Sequence, residues 1–230
     1  MTSLDPARPD GIPTGPGRRA AAITAAGMLA ASLVLGLLTR LDVVHDALDT
    51  AWMSGIVERR GPVGEAVSRV FDFIGGGWFA IWLVPLAVAA LFLLARRPWA
   101  ALVFVATSAL SSGAVQLLKV VFGRERPEDI LLALDSGSYP SGHVANAATV
   151  AVLAAVLLTR WWVVALAAAH VVLMALSRTY LGAHWLTDTL GGALLGAAFA
   201  FGAWAIAART LRAERVRARR SRAGGASVDP

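Results

Sequence analysis

Cysteine is absent from this chain, which excludes disulfides, thiolate nucleophiles and cysteine-ligated metal centres. Charge is scarce as well: only 16% of the 230 residues are charged, against 57% hydrophobic. A soluble domain of this length carries more charge and interrupts its apolar runs sooner. Lysine is almost missing, since all the basic residues but Lys119 are arginine. The net charge of +6 is therefore read as setting membrane topology, with no nucleic-acid partner expected.

The long hydrophobic runs repeatedly approach the length that crosses a hydrocarbon core of about 30 Å. The fold class expected is all-α, a polytopic bundle of six transmembrane helices. Residues 1–20, rich in Pro, Gly and Arg, form a disordered N-terminal tail. Spans are expected over 21–38, 77–94 (bent at Pro85), 99–118, 144–158, 161–176 and 189–208. The first run has a basic leader but no small-x-small cleavage site after it, so it is read as an uncleaved span. Between the first two spans, Leu48, Ala51, Trp52 and Ile56 recur at helical spacing, with Asp42 and Asp49 elsewhere on the wheel. That pattern predicts an amphipathic segment in the interface. The domain is thus 21–208, followed by an Arg-rich tail over 209–230.

Loop arginines favour both termini in the cytoplasm, in a bacterial plasma membrane. Lys119, Arg126-Pro127 and Pro140-Ser141-Gly142-His143 then share one extracytoplasmic loop. Two spans separate His143 from Ser177-Arg178, and an even number returns the chain to the same face. His184 and Asp188 follow at that face. The active site is expected at the extracytoplasmic helix ends.

These residues are suited to phosphoryl transfer. Lys119, Arg126 and Arg178 supply permanent positive charge for a phosphate whose charge must be neutralised as the P–O bond breaks. Ser141 and Gly142 immediately precede a span, where backbone N–H groups and the helix dipole cradle an anion. His184 and Asp188, four residues apart, fall on one helix face, so the carboxylate can orient the imidazole for attack on phosphorus. His143 titrates near neutrality and suits the acid that protonates the leaving oxygen. A phosphohistidine intermediate on His184 follows from this arrangement.

The strings Lys119-x6-Arg126-Pro127, Pro140-Ser141-Gly142-His143 and Ser177-Arg178-x5-His184-x3-Asp188 resemble the three signature motifs of the type-2 phosphatidic acid phosphatase superfamily, complete and in order. The resemblance implies His184 as nucleophile, Asp188 as its partner and His143 as acid. It also implies Lys119, Arg126, Ser141, Gly142 and Arg178 as phosphate ligands, and no metal or other cofactor. Membrane members often carry proline two residues after the nucleophile, where this chain has Leu186. Soluble relatives include vanadium-dependent haloperoxidases, a branch that the apolar spans argue against. The expected partners are the bilayer and a lipid phosphate such as a polyprenyl diphosphate, phosphatidic acid or phosphatidylglycerol phosphate. A phosphotransferase using the same site and a non-enzymatic lipid transporter are the rival readings.

Several features carry plainer expectations. Asp72, ahead of Gly75-Gly76-Gly77, marks a turn, and Glu125, Glu128 and Asp129 pair with Arg124. His170 makes a neutral hydrogen bond between helices. Gly191, Gly192, Gly196 and Gly202 mark close helix packing.

Overall fold

A computed structural model describes residues 15–43, 45–134 and 137–225. Most of the expected N-terminal tail, and residues 226–230 of the C-terminal one, lie outside that range. The regular secondary structure of the described residues is all helical, with no strand among them. The helices are α1 (Arg18–Arg40), α2 (Ala51–Glu58), α3 (Pro62–Gly75), α4 (Val84–Leu94), α5 (Pro98–Phe122), α6 (Gly142–Leu158), α7 (Trp161–Tyr180) and α8 (Leu186–Gly225). Wider π-type turns lead into α2 (His45–Thr50) and α4 (Phe79–Leu83).

The boundaries follow local chemistry. Proline stands in the first turn of α3 and of α5, where its missing N–H costs nothing. Gly123 closes α5 in the left-handed region at φ 56°, and Gly182 turns the chain after α7 at φ 66°.

Four helices (α1, α5, α7 and α8) are long and apolar enough to cross a membrane. α3 and the helical run Phe79–Leu94 are together also long and apolar enough for a crossing, as a broken span or a re-entrant pair, with a bend of 46° at the intervening glycines. That differs from the sequence expectation. The bend lies at Gly75–Trp78, because three successive glycines leave the chain free to turn there. Pro85 instead lies within the continuous helical run to Leu94, directly after the wider turn Phe79–Leu83. α6 is apolar but shorter, at 17 residues.

α8 is the axis of the bundle. α1 lies along one side of it and α6 along another, with α7 beyond α6, α3 against α7 and α4 against α5. Large apolar side chains such as Leu94, Val120, Trp161 and Ile206 point outward, the arrangement a lipid solvent permits. The protein is a multi-pass membrane protein. α8 runs unbroken past Ala208 into the Arg-rich region expected as a tail. The start of α1 lies beside its far half: Arg18 Nε donates to the Ala205 carbonyl and Trp204 Nε1 to that of Pro16, both across more than 180 residues. Trp204 is thus buried.

Candidate active site

The C-terminal ends of α3, α5 and α7 and the N-terminal ends of α6 and α8 meet at one end of the bundle, around a cavity of about 200 Å³. Lys119, Arg126, Gly142, His143, Arg178 and His184 all line it. Ser141 and Asp188 stand immediately behind, both fully buried. All eight residues singled out from the sequence are therefore brought together.

Lys119 lies in the last turn of α5 and donates to the Gly137 carbonyl. Arg126 follows in the loop, donating to the Ala183 carbonyl and, at 3.4 Å, to that of Gly137. The two cations are thus tied to one loop strand. Arg178, in the last turn of α7, has no exposed surface. Its Nη1 donates to Asp72, whereas Nε and Nη2 are buried with no hydrogen-bond partner among the described residues. A buried guanidinium keeps such donors only at a cost, and an anion in the cavity offsets that cost.

Ser141 caps α6 from an extended conformation, and its backbone N–H donates to the Asp188 carbonyl at 2.9 Å. The starts of α6 and α8 are locked together by that bond. Gly192 and Gly196 permit the close approach: a Cβ on Gly192 would lie 2.5 Å from the Ser141 carbonyl oxygen.

His184 occupies the turn before α8, whose first residue is Leu186, so the pair with Asp188 spans a turn and a helix start. The sequence reading placed both on one helix. His184 Nδ1 lies 3.5 Å from Asp188 Oδ2. The carboxylate is itself held: Trp185 N–H donates to Oδ2 at 2.9 Å, and Arg124 Nη1 donates to Oδ1 at 2.6 Å. Burial holds the His184 imidazole well below its ordinary value of 6.5, and the nearby Arg178, Lys119 and Arg126 push it the same way. The ring is therefore neutral, as a nucleophile must be.

Three further residues belong to this arrangement that motif reading missed. Arg124 bridges Asp188 to Asp49, donating to Asp49 Oδ2 at 2.6 Å. Asp49 also accepts from the Thr187 N–H at 2.9 Å. Asp49, expected on a solvated face, is wholly buried, and among the described residues Arg124 pairs with Asp49 and Asp188. Asp72, expected to mark a turn, contacts both Arg178 and His143. The available signal was weak: a carboxylate ahead of a glycine run, and one arginine between two motif cations. His170, expected to hydrogen-bond between helices, meets the ring of Phe71 at 6.4 Å between centroids. Among the described residues, no three His, Asp or Glu side chains group closely enough to hold a metal ion.

Comparison with known proteins agrees with this geometry. The family model of the PAP2 superfamily matches residues 99–212, which include all three motifs. Phosphatidylglycerophosphatase B of Bacillus subtilis (strain 168) is 28% identical over 174 residues, covering 71% of this chain and 85% of that protein. The crystal structure of a transmembrane PAP2-type phosphatidylglycerolphosphate phosphatase from Bacillus subtilis superimposes with a TM-score of 0.74 at 27% identity. It covers 81% of this chain and 96% of its own. The fold is also shared with LpxE of Aquifex aeolicus, at a TM-score of 0.60 and 24% identity over 70% of this chain and 97% of that one. With the motifs gathered at one cavity and the helices arranged as in those proteins, the chain belongs to the PAP2 superfamily and is a phosphatase acting on membrane lipids.

Proposed function

We propose that the protein hydrolyses a lipid phosphate through a phosphohistidine on His184, and that phosphatidylglycerol phosphate, phosphatidic acid and polyprenyl diphosphates are the substrates to rank. The observation that carries this reading is the cavity itself. Three cations surround a neutral, buried imidazole whose far nitrogen faces a fixed carboxylate.

The reaction follows from the donors. Lys119, Arg126, Arg178 and the N–H groups at the start of α6 bind the phosphoryl oxygens, with Ser141 and Gly142 at that helix end. Asp188 keeps the hydrogen of His184 on Nδ1, leaving Nε2 to attack phosphorus. As the N–P bond forms, the P–O bond to the lipid breaks. Its electron pair stays on the departing oxygen, which takes a proton from His143. Asp188 offsets the positive charge on the phosphorylated ring. In the second step His143 takes a proton from water as that water attacks phosphorus, and the P–N bond returns its electrons to His184.

The same reading puts six spans in the bilayer, with α6 as the short one at about 26 Å. Its extent is the domain 21–208 between two tails, with both termini in the cytoplasm and the cavity on the opposite face. Arginines at the end of the bundle away from the cavity, among them Arg18, Arg96, Arg97 and Arg160, support that orientation.

The test is phosphate release by detergent-purified protein in EDTA, with wild type beside His184→Ala on the three lipids. Release in wild type that the substitution abolishes is the expected result. Release that survives His184→Ala overturns the nucleophile, and transfer to an added alcohol in place of water identifies a transferase.

A further inference from the structure

Asp72 belongs to none of the three motifs and lies outside the residues matched by the family model, yet it touches two groups at the centre of the site. It stands one turn before the end of α3. Its Oδ1 accepts from Arg178 Nη1 and lies 3.2 Å from His143 Nε2. Its own backbone carbonyl oxygen lies 3.1 Å from that same nitrogen. A carbonyl can only accept, so the hydrogen of a neutral His143 resides on Nε2. Nδ1 is then the nitrogen left to exchange a proton with anything in the cavity.

The glycines that end α3 complete the seat. A Cβ on Gly75 would come within 3.1 Å of His143 Cδ2, and one on Gly76 would strike Nε2 itself. The outer edge of the imidazole therefore abuts glycine backbone, and Asp72 meets it at one nitrogen. His184 likewise faces a carboxylate, with Asp188 lying 3.5 Å from one ring nitrogen. The site contains two carboxylate–imidazole pairs. One is built within a motif, and the other is assembled from helices 71 residues apart.

We infer that Asp72 is the positioning residue of the acid His143: it holds the ring by Nε2–H, presents Nδ1 to the departing oxygen, and fixes Arg178 beside it. When His143 is protonated, both N–H groups are then in use, one on Asp72 and one on the oxygen that leaves. The inference rests on the assignment of His143 as the acid, and the experiment separates the two.

A positioned acid matters only when the leaving group needs a proton. An alkoxide does, whereas 4-nitrophenolate departs without one. The kcat/KM of Asp72→Asn and His143→Ala, which ends at phosphohistidine formation and so excludes the second step common to both esters, is compared with wild type on a short-chain phosphatidic acid and on 4-nitrophenyl phosphate. The expected result for Asp72→Asn is a kcat/KM on the alkyl ester lower by about 10- to 100-fold, with the aryl ester changed by less than about 3-fold. His143→Ala shows the same split, at least as large. An equal loss on both esters in Asp72→Asn, or no loss on either, overturns the role of Asp72 while the split in His143→Ala upholds the acid. A parallel loss on both esters in His143→Ala overturns the acid assignment and this inference with it. Asp72→Glu keeps the charge and moves it by one methylene. If Asp72→Asn does not fold, Asp72→Glu is read on the same pair, where a split supports the inference and a parallel loss overturns it.

Discussion

Single side chains decide what this cavity can do, and His184 is the one whose protonation matters most. Its imidazole value is lowered well below 6.5 by burial and by three cations. A lowered value means that the neutral, nucleophilic ring persists as pH falls. The kcat/KM of the free enzyme is therefore expected to keep its nucleophile through pH 6.5 and lose it only below, where a freely solvated histidine is already half protonated. A pH–kcat/KM profile on a substrate of constant ionisation checks this, and an acid limb centred at 6.5 contradicts it. Arg124 supports the same residue from behind. Replacing it by methionine leaves two buried carboxylates, Asp49 and Asp188, without their shared cation. A loss of about 3–5 kcal/mol in stability is expected, read by thermal unfolding in detergent. The eight motif residues were legible in the sequence because they lie in short strings whose order carries the chemistry. Asp49, Asp72 and Arg124 were not, since their partners lie 64 to 138 residues away and only the packed helices bring them together.

Pairs of helices set the distances between those side chains, and α6 lies tightly on α8. Of the glycines read from sequence as close-packing positions, Gly192 and Gly196 lie in that seam, whereas Gly191 faces the Tyr139 side chain and Gly202 has only ordinary contact with Ala25. At Gly196 a Cβ would lie 2.9 Å from the Ala145 carbonyl carbon and 3.0 Å from the Thr149 nitrogen, so the backbones must part to admit one. Gly196→Val is expected to cost about 1–3 kcal/mol and to weaken the bond between Ser141 and Asp188, one face of the site, lowering kcat as well as the unfolding temperature. Measuring both on one preparation distinguishes this from a purely structural loss. The long helices α1, α5, α7 and α8 were legible because each holds a continuous apolar run. The bend between α3 and α4 was not, because sequence offers two candidates, a proline and a glycine run. Pro85 lies inside the helical run, and the wider turn just before it accommodates its missing N–H without a break.

Across the whole molecule, the end away from the cavity is stitched as firmly as the site. Glu214 of α8 accepts from the N–H groups of Trp99 and Ala100 at 2.6 and 3.1 Å, capping α5 from another helix. Arg212 donates to the carbonyls of Gly15 and Pro16, and Arg215 to the Thr159 hydroxyl. This was illegible in an Arg-rich run that composition alone assigns to disorder, because the partners that order it are distant in the chain. Glu214→Ala leaves two buried N–H groups uncapped, and a loss of about 1–3 kcal/mol is expected with kcat on a lipid phosphate unchanged in the folded fraction. Unfolding curves beside activity per folded molecule check it. Asp188 and Glu214 are carried by one unbroken helix and stand about 39 Å apart along it, close to the thickness of a bilayer with its headgroups. In the proposed orientation that helix acts as a ruler: the height at which a phosphate meets the cavity is set from the opposite surface of the membrane, and turnover is expected to vary with bilayer thickness.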